Sequence, residues 1–210
     1  MAEPDAHAAR GTTVFLVRHG QTALNARGRF RGRRDPPLDE RGRLEAEDVA
    51  RRLGDDLEAV FTSPLLRAAQ TAEHIARAAR VGVITLPQLV DADYGSWEGM
   101  TQDEARAADP DAYDRFVHRP REAAMPGGES MAAVERRILD ALAWAADTHP
   151  GGSVAAVSHE IPIRLVIARL AGTEGSAFWD VSLPTGAVVR LYWERGTFHL
   201  LDEVPLRAIP

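Results

Sequence analysis

Val14-Phe15-Leu16-Val17-Arg18-His19-Gly20 is the stretch on which the fold turns. Four apolar residues in a row read as a short strand buried on both faces, the kind found inside a parallel sheet. The run stops at Arg18-His19-Gly20, so polar chemistry begins where the strand ends. Beyond an Arg- and Gly-rich loop, Asp39 is placed to cap a helix in which Ala46, Val49, Ala50 and Leu53 recur on one face and Gly54 marks the stop. Ala59–Thr62 reads as a second strand. Ser63-Pro64 reads as a helix start, hydroxyl as cap and proline in the first turn, with Ala68, Ala72, Ile75, Ala76 and Ala79 on the buried face.

The same alternation continues towards the C-terminus. Val83–Leu86 is a third strand. A polar, acidic, turn-rich segment over about 89–128, with short helices at 101–108 and 110–118, reads as a lid or insertion. From Ser130 a longer helix aligns Met131, Val134, Ile138, Leu142 and Ala145 until His149-Pro150-Gly151-Gly152 breaks it. Ser153–Val157 is a fourth strand ending at Ser158-His159, a helix follows over Ile161–Leu170, and Ala187–Trp193 with Thr197–Leu201 reads as a hairpin. Strands alternating with helices predict an α/β fold, a three-layer α/β/α sandwich on a mostly parallel central sheet. One domain is expected over 13–210, after a disordered tail at 1–12.

Composition narrows the function. The 210 residues are 45% hydrophobic and 27% charged, with no cysteine, which excludes a disordered chain and a disulfide-stapled scaffold. No run approaches a membrane span, and Glu3, Asp5, His7 and Arg10 interrupt the stretch a signal peptide would need, so the default is a cytoplasmic protein. A net charge of −6 disfavours nucleic acid and acidic membranes as partners. All 25 basic residues are arginine, and seven lie between Arg27 and Arg43, leaving that segment at +4 and the rest of the chain at −10. A GC-rich genome accounts for the missing lysine but not for the clustering, which reads as an anion site or a solvated loop.

In open α/β sheets ligands bind beyond the carboxyl ends of the strands. Polar groups stand at four such ends: Arg18-His19-Gly20, Ser63-Pro64 leading to Arg67, Asp91 with Asp93, and Ser158-His159. Two arginines, two histidines and a carboxylate converging there would hold a dianion beside a nucleophile and a proton donor, a phosphoryl-transfer site needing no metal. There is no metal-ligand spacing, phosphate-binding glycine loop of the nucleotide kind or dinucleotide fingerprint. Singly, each group reads as structural: a strand-end histidine is usually a satisfied core residue and an arginine near a helix start a surface ion pair. His7, His74, His118, His149 and His199 keep that reading, and Trp97, Trp144, Trp179 and Trp193 read as core and lid packing.

Arg18-His19-Gly20-Gln21-Thr22-Ala23-Leu24-Asn25 resembles the RHGxTxxN signature of the histidine phosphatase superfamily, its phosphoglycerate mutase-like branch. Further stretches match in the family's order: Leu38-Asp39-Glu40-Arg41-Gly42, Thr62-Ser63-Pro64-Leu65-Leu66-Arg67-Ala68, Gln70-Thr71-Ala72, Tyr94-Gly95-Ser96-Trp97-Glu98-Gly99, Pro126-Gly127-Gly128-Glu129-Ser130 and Val157-Ser158-His159. The resemblance covers roughly residues 13–202 and implies a phosphoglycerate mutase-like fold. It implies His19 as the nucleophile that becomes phosphohistidine, with Arg18, Asn25, Arg67 and His159 as the phosphate pocket and a loop contact at Arg31-Gly32. Two positions depart from the family. Asp91 stands where a glutamic acid proton donor is usual, with Asp93 and Glu98 as fallbacks, and Glu160 stands where many relatives have glycine, a carboxylate at the pocket mouth that would restrict substrates.

The implied activity is metal- and cofactor-independent hydrolysis of small-molecule phosphomonoesters by a phosphatase, the partner being a small phosphorylated metabolite. A cofactor-dependent phosphoglycerate mutase is the alternative, disfavoured because the segment from Trp97 to Pro126 is short and acidic, with Arg115, Arg119 and Arg121 only near its end. A non-catalytic phospho-ligand binding module is the reading from another class. The physiological substrate and the oligomeric state are not legible.

Overall fold

The computed structural model describes residues 11–26, 28–173, 175 and 177–202. Among them six strands form one sheet: β1 (Thr12–Arg18), β2 (Ala59–Thr62), β3 (Val83–Thr85), β4 (Ser153–Ser158), β5 (Val188–Glu194) and β6 (Thr197–Leu200), in the order β3-β2-β4-β1-β5-β6. Four neighbouring strands run parallel, and β5 is antiparallel to both β1 and β6. The sheet is therefore mixed with a parallel centre: the chain reaches β5 at the C-terminal end of β1, where the Gly186 N–H meets Arg18 O and the Arg18 N–H meets Ala187 O, and so runs back antiparallel to it.

The period-2 alternation of strand side chains divides the core in two. Val14 and Leu16 of β1, Phe61 of β2 and Val154 and Ala156 of β4 meet Ile138 and Leu142 of α6 (Met131–Asp147) and Ile163, Val166 and Ile167 of α7 (Glu160–Ala171). Val17, Val60, Ala155 and Val157 face the opposite way, onto Val49 of α2 (Glu40–Leu53) and Ala68, Ala72 and Ile75 of α3 (Leu66–Ala79). Two helical layers thus sandwich the sheet, and central strands apolar on both faces are the reason β1 reads as a continuous hydrophobic run.

Three expectations shift. Of the tail expected over 1–12, residues 1–10 lie outside the described residues, as does His7. Thr12 is ordered at the start of β1, its Oγ1 donating to the carbonyls of Ala146 (2.9 Å) and His149 (2.8 Å). Ser63-Pro64 precedes α3 without being its first turn: the helix opens at Leu66, whose N–H is received by Asp35 Oδ1 at 2.6 Å. Two four-residue helices, α1 (Ala23–Ala26) and α8 (Ala177–Asp180), were not anticipated, being too short to show a period.

The insertion is packed rather than loose. Between β3 and α6, two short helices, α4 (Gln102–Ala108) and α5 (Pro110–His118), gather Tyr94, Trp97, Tyr113 and Phe116 with Met131, Leu165 and Phe178 into a second core. Trp97 is fully buried there, in ring contact with Tyr113 and Phe116. Trp144 departs from the packing expected of it, standing 51% exposed on α6 with an edge-on ring contact to Phe61. Among the described residues, no helix is long and apolar enough to cross a membrane.

Candidate active site

Strand register builds the site. β1 and β4 pair in parallel with Arg18 opposite Ser158, so the next residue on each strand is a histidine. The His19 N–H donates to Ser158 O at 3.1 Å, and the imidazoles of His19 and His159 stand 5.0 Å apart between centroids. β2 ends alongside, its Ser63 N–H donating to Val157 O at 3.0 Å. The Ser63 hydroxyl then meets His159 Nε2 at 2.8 Å instead of capping a helix.

Both histidines are fully buried. His19 Nδ1 lies 2.6 Å from Gly20 O, a contact only an Nδ1–H can make, and Arg67 Nε donates to His19 Nε2 at 3.2 Å. Together these contacts assign the tautomer: the proton is on Nδ1, and Nε2 presents its lone pair towards Arg67. Burial first, and then the charges of Arg67, Arg31 and Arg18, push the His19 imidazole well below the ordinary histidine range, against the pull of Gly20 O. His159 is pushed down in the same way by burial and by Arg67 and its neighbours. Both rings are neutral at pH 7.

Arg67 is the hub. From the first turn of α3 its Nη1 donates to Arg34 O (2.7 Å), and its Nη2 donates to Gly32 O (3.0 Å) and to Asp91 Oδ2 (3.2 Å). Asp91, 1% exposed, also receives the Ala92 N–H on Oδ1 at 2.9 Å, and its Oδ2 lies 3.9 Å from His159 Nδ1. Arg137 of α6 holds this segment in place, donating to Val90 O (2.7 Å), Asp91 O (3.0 Å) and the Glu129 carboxylate (2.8 and 3.0 Å). The fallback carboxylates are used elsewhere: Asp93 Oδ1 receives the Gly95 N–H at 2.8 Å, and Glu98 Oε1 receives the Arg33 N–H at 2.6 Å.

Arg18 donates Nη1 to Leu183 O and pairs Nη2 with Glu160 Oε2 at 2.7 Å. Arg31 Nη2 lies 3.6 Å from the same oxygen. Among the described residues, Arg18 Nε, Arg31 Nε and His159 Nδ1 are buried and have no hydrogen-bond partner. Arg18, Asn25, Arg31 and Glu160 line a cavity of ≈ 380 Å³ whose apolar wall is Phe30, Tyr94, Phe116, Ile161 and Trp179. Asn25 is partly committed: its Oδ1 receives the Thr22 N–H (3.0 Å) and hydroxyl (2.8 Å). Gly32 contributes its carbonyl to Arg67 rather than a direct lining contact.

Of the arginine cluster, Arg29 and Arg31 reach the cavity, while Arg33, Arg34 and Arg41 are tied to Glu129, Glu98 O and Glu45; Arg27 lies outside the described residues. The role of Ser63 differs from the helix cap its spacing implies, and Thr71, Arg137 and the aromatic wall join the site without having stood out in the sequence. Thr71 Oγ1 accepts the Gly20 N–H at 3.1 Å. An arginine on an otherwise apolar helix face, eight residues after Glu129, was the available signal for Arg137. Among the described residues, no three His, Cys, Asp or Glu side chains form a metal-ligand set.

A strand-end histidine pair enclosed by buried arginines, under a small half-apolar cavity, defines an enzyme that handles phosphate esters. The sequence pattern of the histidine phosphatase superfamily (branch 1) matches residues 14–203, and the chain belongs to that family. It is a phosphatase of the superfamily, a hydrolase. It is 35% identical over 168 residues to phosphoserine phosphatase 1 of Hydrogenobacter thermophilus, covering 80% of each chain. It is also 32% identical to a probable phosphoglycerate mutase, GpmB, of Cronobacter sakazakii, covering 87% of this chain and 85% of that one. Other relatives, 40% identical, are longer, and the chain spans 47% of their length. Among solved structures, Bacillus stearothermophilus YhfR superposes with a TM-score of 0.84 at 33% identity, over 93% of this chain and 98% of that one.

Proposed function

We propose that the chain hydrolyses small phosphomonoesters without a metal, in two steps through a phosphohistidine on His19. The observation that carries this reading is the state of His19: neutral, with Nδ1–H tied to Gly20 O and the Nε2 lone pair facing Arg67. An imidazole so fixed is an in-line nucleophile that needs no general base. As the ester enters, Arg67 Nε turns its hydrogen bond from Nε2 to a phosphate oxygen. Arg18 and His159 take other oxygens with their unpartnered nitrogens, Arg31 and Asn25 close the rim, and the arginines supply the charge a metal would otherwise bring.

Nε2 then bonds to phosphorus while the bond to the alcohol oxygen breaks, and the Asp91 carboxylic acid gives its proton to that oxygen. In the second step the Asp91 carboxylate takes a proton from water, the water oxygen bonds to phosphorus, and the P–N bond breaks to return the lone pair to His19. The contacts of Asp91 to Arg67 and its 3.9 Å separation from His159 support this assignment over Asp93 and Glu98.

A phosphoglycerate mutase would keep the phosphate and return it to a second hydroxyl, for which it needs extra cations around the leaving alcohol. Arg119 and Arg121 do not serve: they line a different cleft, of ≈ 640 Å³, with Arg136 and Arg169. The test is hydrolysis of p-nitrophenyl phosphate in the presence of a chelator by the wild type and by His19→Ala. Turnover by the former and none by the latter is expected; equal turnover by both would overturn the reading.

A further inference from the structure

Glu160 sets the charge at the cavity mouth, and what surrounds it carries an inference that rests on the phosphatase reading and goes beyond it. The residue follows His159 directly and opens α7, so its position is fixed by the same strand end as the imidazole pair. Its Oε1 receives Arg164 Nε (3.2 Å) and Nη2 (3.1 Å), and Arg164 is itself buried and anchored on the carbonyls of Phe178 and Val181. Its Oε2 faces Arg18 and Arg31, at 2.7 and 3.6 Å, Glu160 lines the cavity, and its side chain is 24% exposed. Burial acts to raise its pKa, but Arg18, Arg164 and Arg31 outweigh burial and hold the group below the ordinary glutamate value, so it is an anion at pH 7.

A built-in anion therefore already occupies the guanidinium groups that a second acidic group on the substrate would seek, and Arg164 holds it there. A leaving alcohol carrying a carboxylate would bring like charge against Glu160 in a confined, partly apolar site. The same carboxylate would attract an ammonium, which the neighbouring Phe116 and Trp179 rings also suit. We propose that Glu160 is a specificity-determining residue: it selects phosphomonoesters whose leaving alcohol is uncharged or cationic and rejects those whose leaving alcohol carries a carboxylate. A phosphoserine phosphatase, as the Hydrogenobacter thermophilus relative is named, acts on an alcohol with both charges, so the selectivity proposed here differs from what that name implies.

The test compares kcat/KM for phosphoethanolamine, glycerol 3-phosphate and 3-phosphoglycerate, with p-nitrophenyl phosphate as reference, in the wild type, Glu160→Gln and Glu160→Asp. Like-charge repulsion at this range predicts about a 10- to 100-fold preference of the wild type for glycerol 3-phosphate over 3-phosphoglycerate. Glu160→Gln should compress that ratio about 10-fold or more, while Glu160→Asp, which keeps the charge, should preserve the order. Using a ratio cancels any general loss of activity in a variant. Preference of the wild type for 3-phosphoglycerate, or an unchanged ratio in Glu160→Gln, overturns the proposal while turnover of p-nitrophenyl phosphate leaves the phosphatase reading standing. No turnover of any ester by the wild type overturns both. If Glu160→Gln does not fold, the wild-type order of the three esters decides alone.

Discussion

Lowering the pH from 7.5 to 5.5 should destabilise this protein by an amount that follows from its two buried histidines. His19 and His159 have pKa values well below 6.5 in the folded chain, through burial and the surrounding arginines, whereas the unfolded chain titrates near 6.5. Because the folded values are depressed, the unfolded state binds protons that the folded state refuses. The stability these groups confer is present above pH 6.5 and lost as the pH falls towards the folded values. A histidine that takes up its proton only in the unfolded chain loses at most about 1.4 kcal/mol across this range, so the two together set a ceiling of about 2.7 kcal/mol. That is a large share of a typical folding free energy of about 5–15 kcal/mol. Glu160 and Glu129, held below 4.5 against burial by their arginines, lose their contribution only at lower pH. Urea unfolding at constant ionic strength measures the change directly, and with a slope of about 2 to 3 kcal/mol/M the midpoint should fall, by up to about 1 M. His159→Asn should roughly halve the pH dependence. A midpoint that stays constant from pH 7.5 to 5.5 would refute the reasoning and mean that the folded site accepts the protons, as it would if His159 were an imidazolium paired with Asp91.

Three further outcomes are expected. Asp91→Asn should slow hydrolysis of alkyl phosphates by about 10²- to 10⁴-fold yet leave the pre-steady-state burst of nitrophenolate from p-nitrophenyl phosphate nearly intact, because that leaving group needs no proton; equal loss of both would assign Asp91 a binding or structural role. Gly42→Ala should destabilise the fold by about 1–3 kcal/mol in denaturant titration, since an added Cβ would collide with the backbone of Gln21 beside the catalytic loop; unchanged stability would show that this close approach is not required. Exhaustive chelation should leave kcat/KM unchanged, and a loss restored only by divalent cations would contradict the charge balance assigned to Arg18 and Arg67.

The fold was legible because the sheet centre is buried on both faces: β1 and β4 announce themselves as apolar runs that end in polar residues, and the helices between them carry strong one-sided apolar patterns. The site was legible to the extent that function resides at strand ends. What remained hidden depended on register and on long contacts. Only the pairing of Arg18 with Ser158 brings His19 beside His159, and no local pattern predicts it. Ser63 read as a helix cap because its spacing to Pro64 fits one; its oxygen does accept the Leu65 N–H at 3.2 Å, but the same hydroxyl also meets His159, 96 positions away. Arg137 and Arg164 were hard to read for the same reason, since each donates to carbonyls outside its own helix, Val90 and Asp91 for the one and Phe178 and Val181 for the other. The insertion looked like a polar lid because its aromatic residues are scattered among acids, and only folding gathers them into a core.

In the proposed reaction His19 carries the phosphate between the two steps. Mixing the enzyme with ³²P-labelled substrate and quenching within milliseconds tests it most directly. A labelled protein is expected whose phosphate is lost in acid and retained in base, with the label on the peptide containing His19 and no label in His19→Ala. A label on serine or aspartate, or full turnover by His19→Ala, would contradict it.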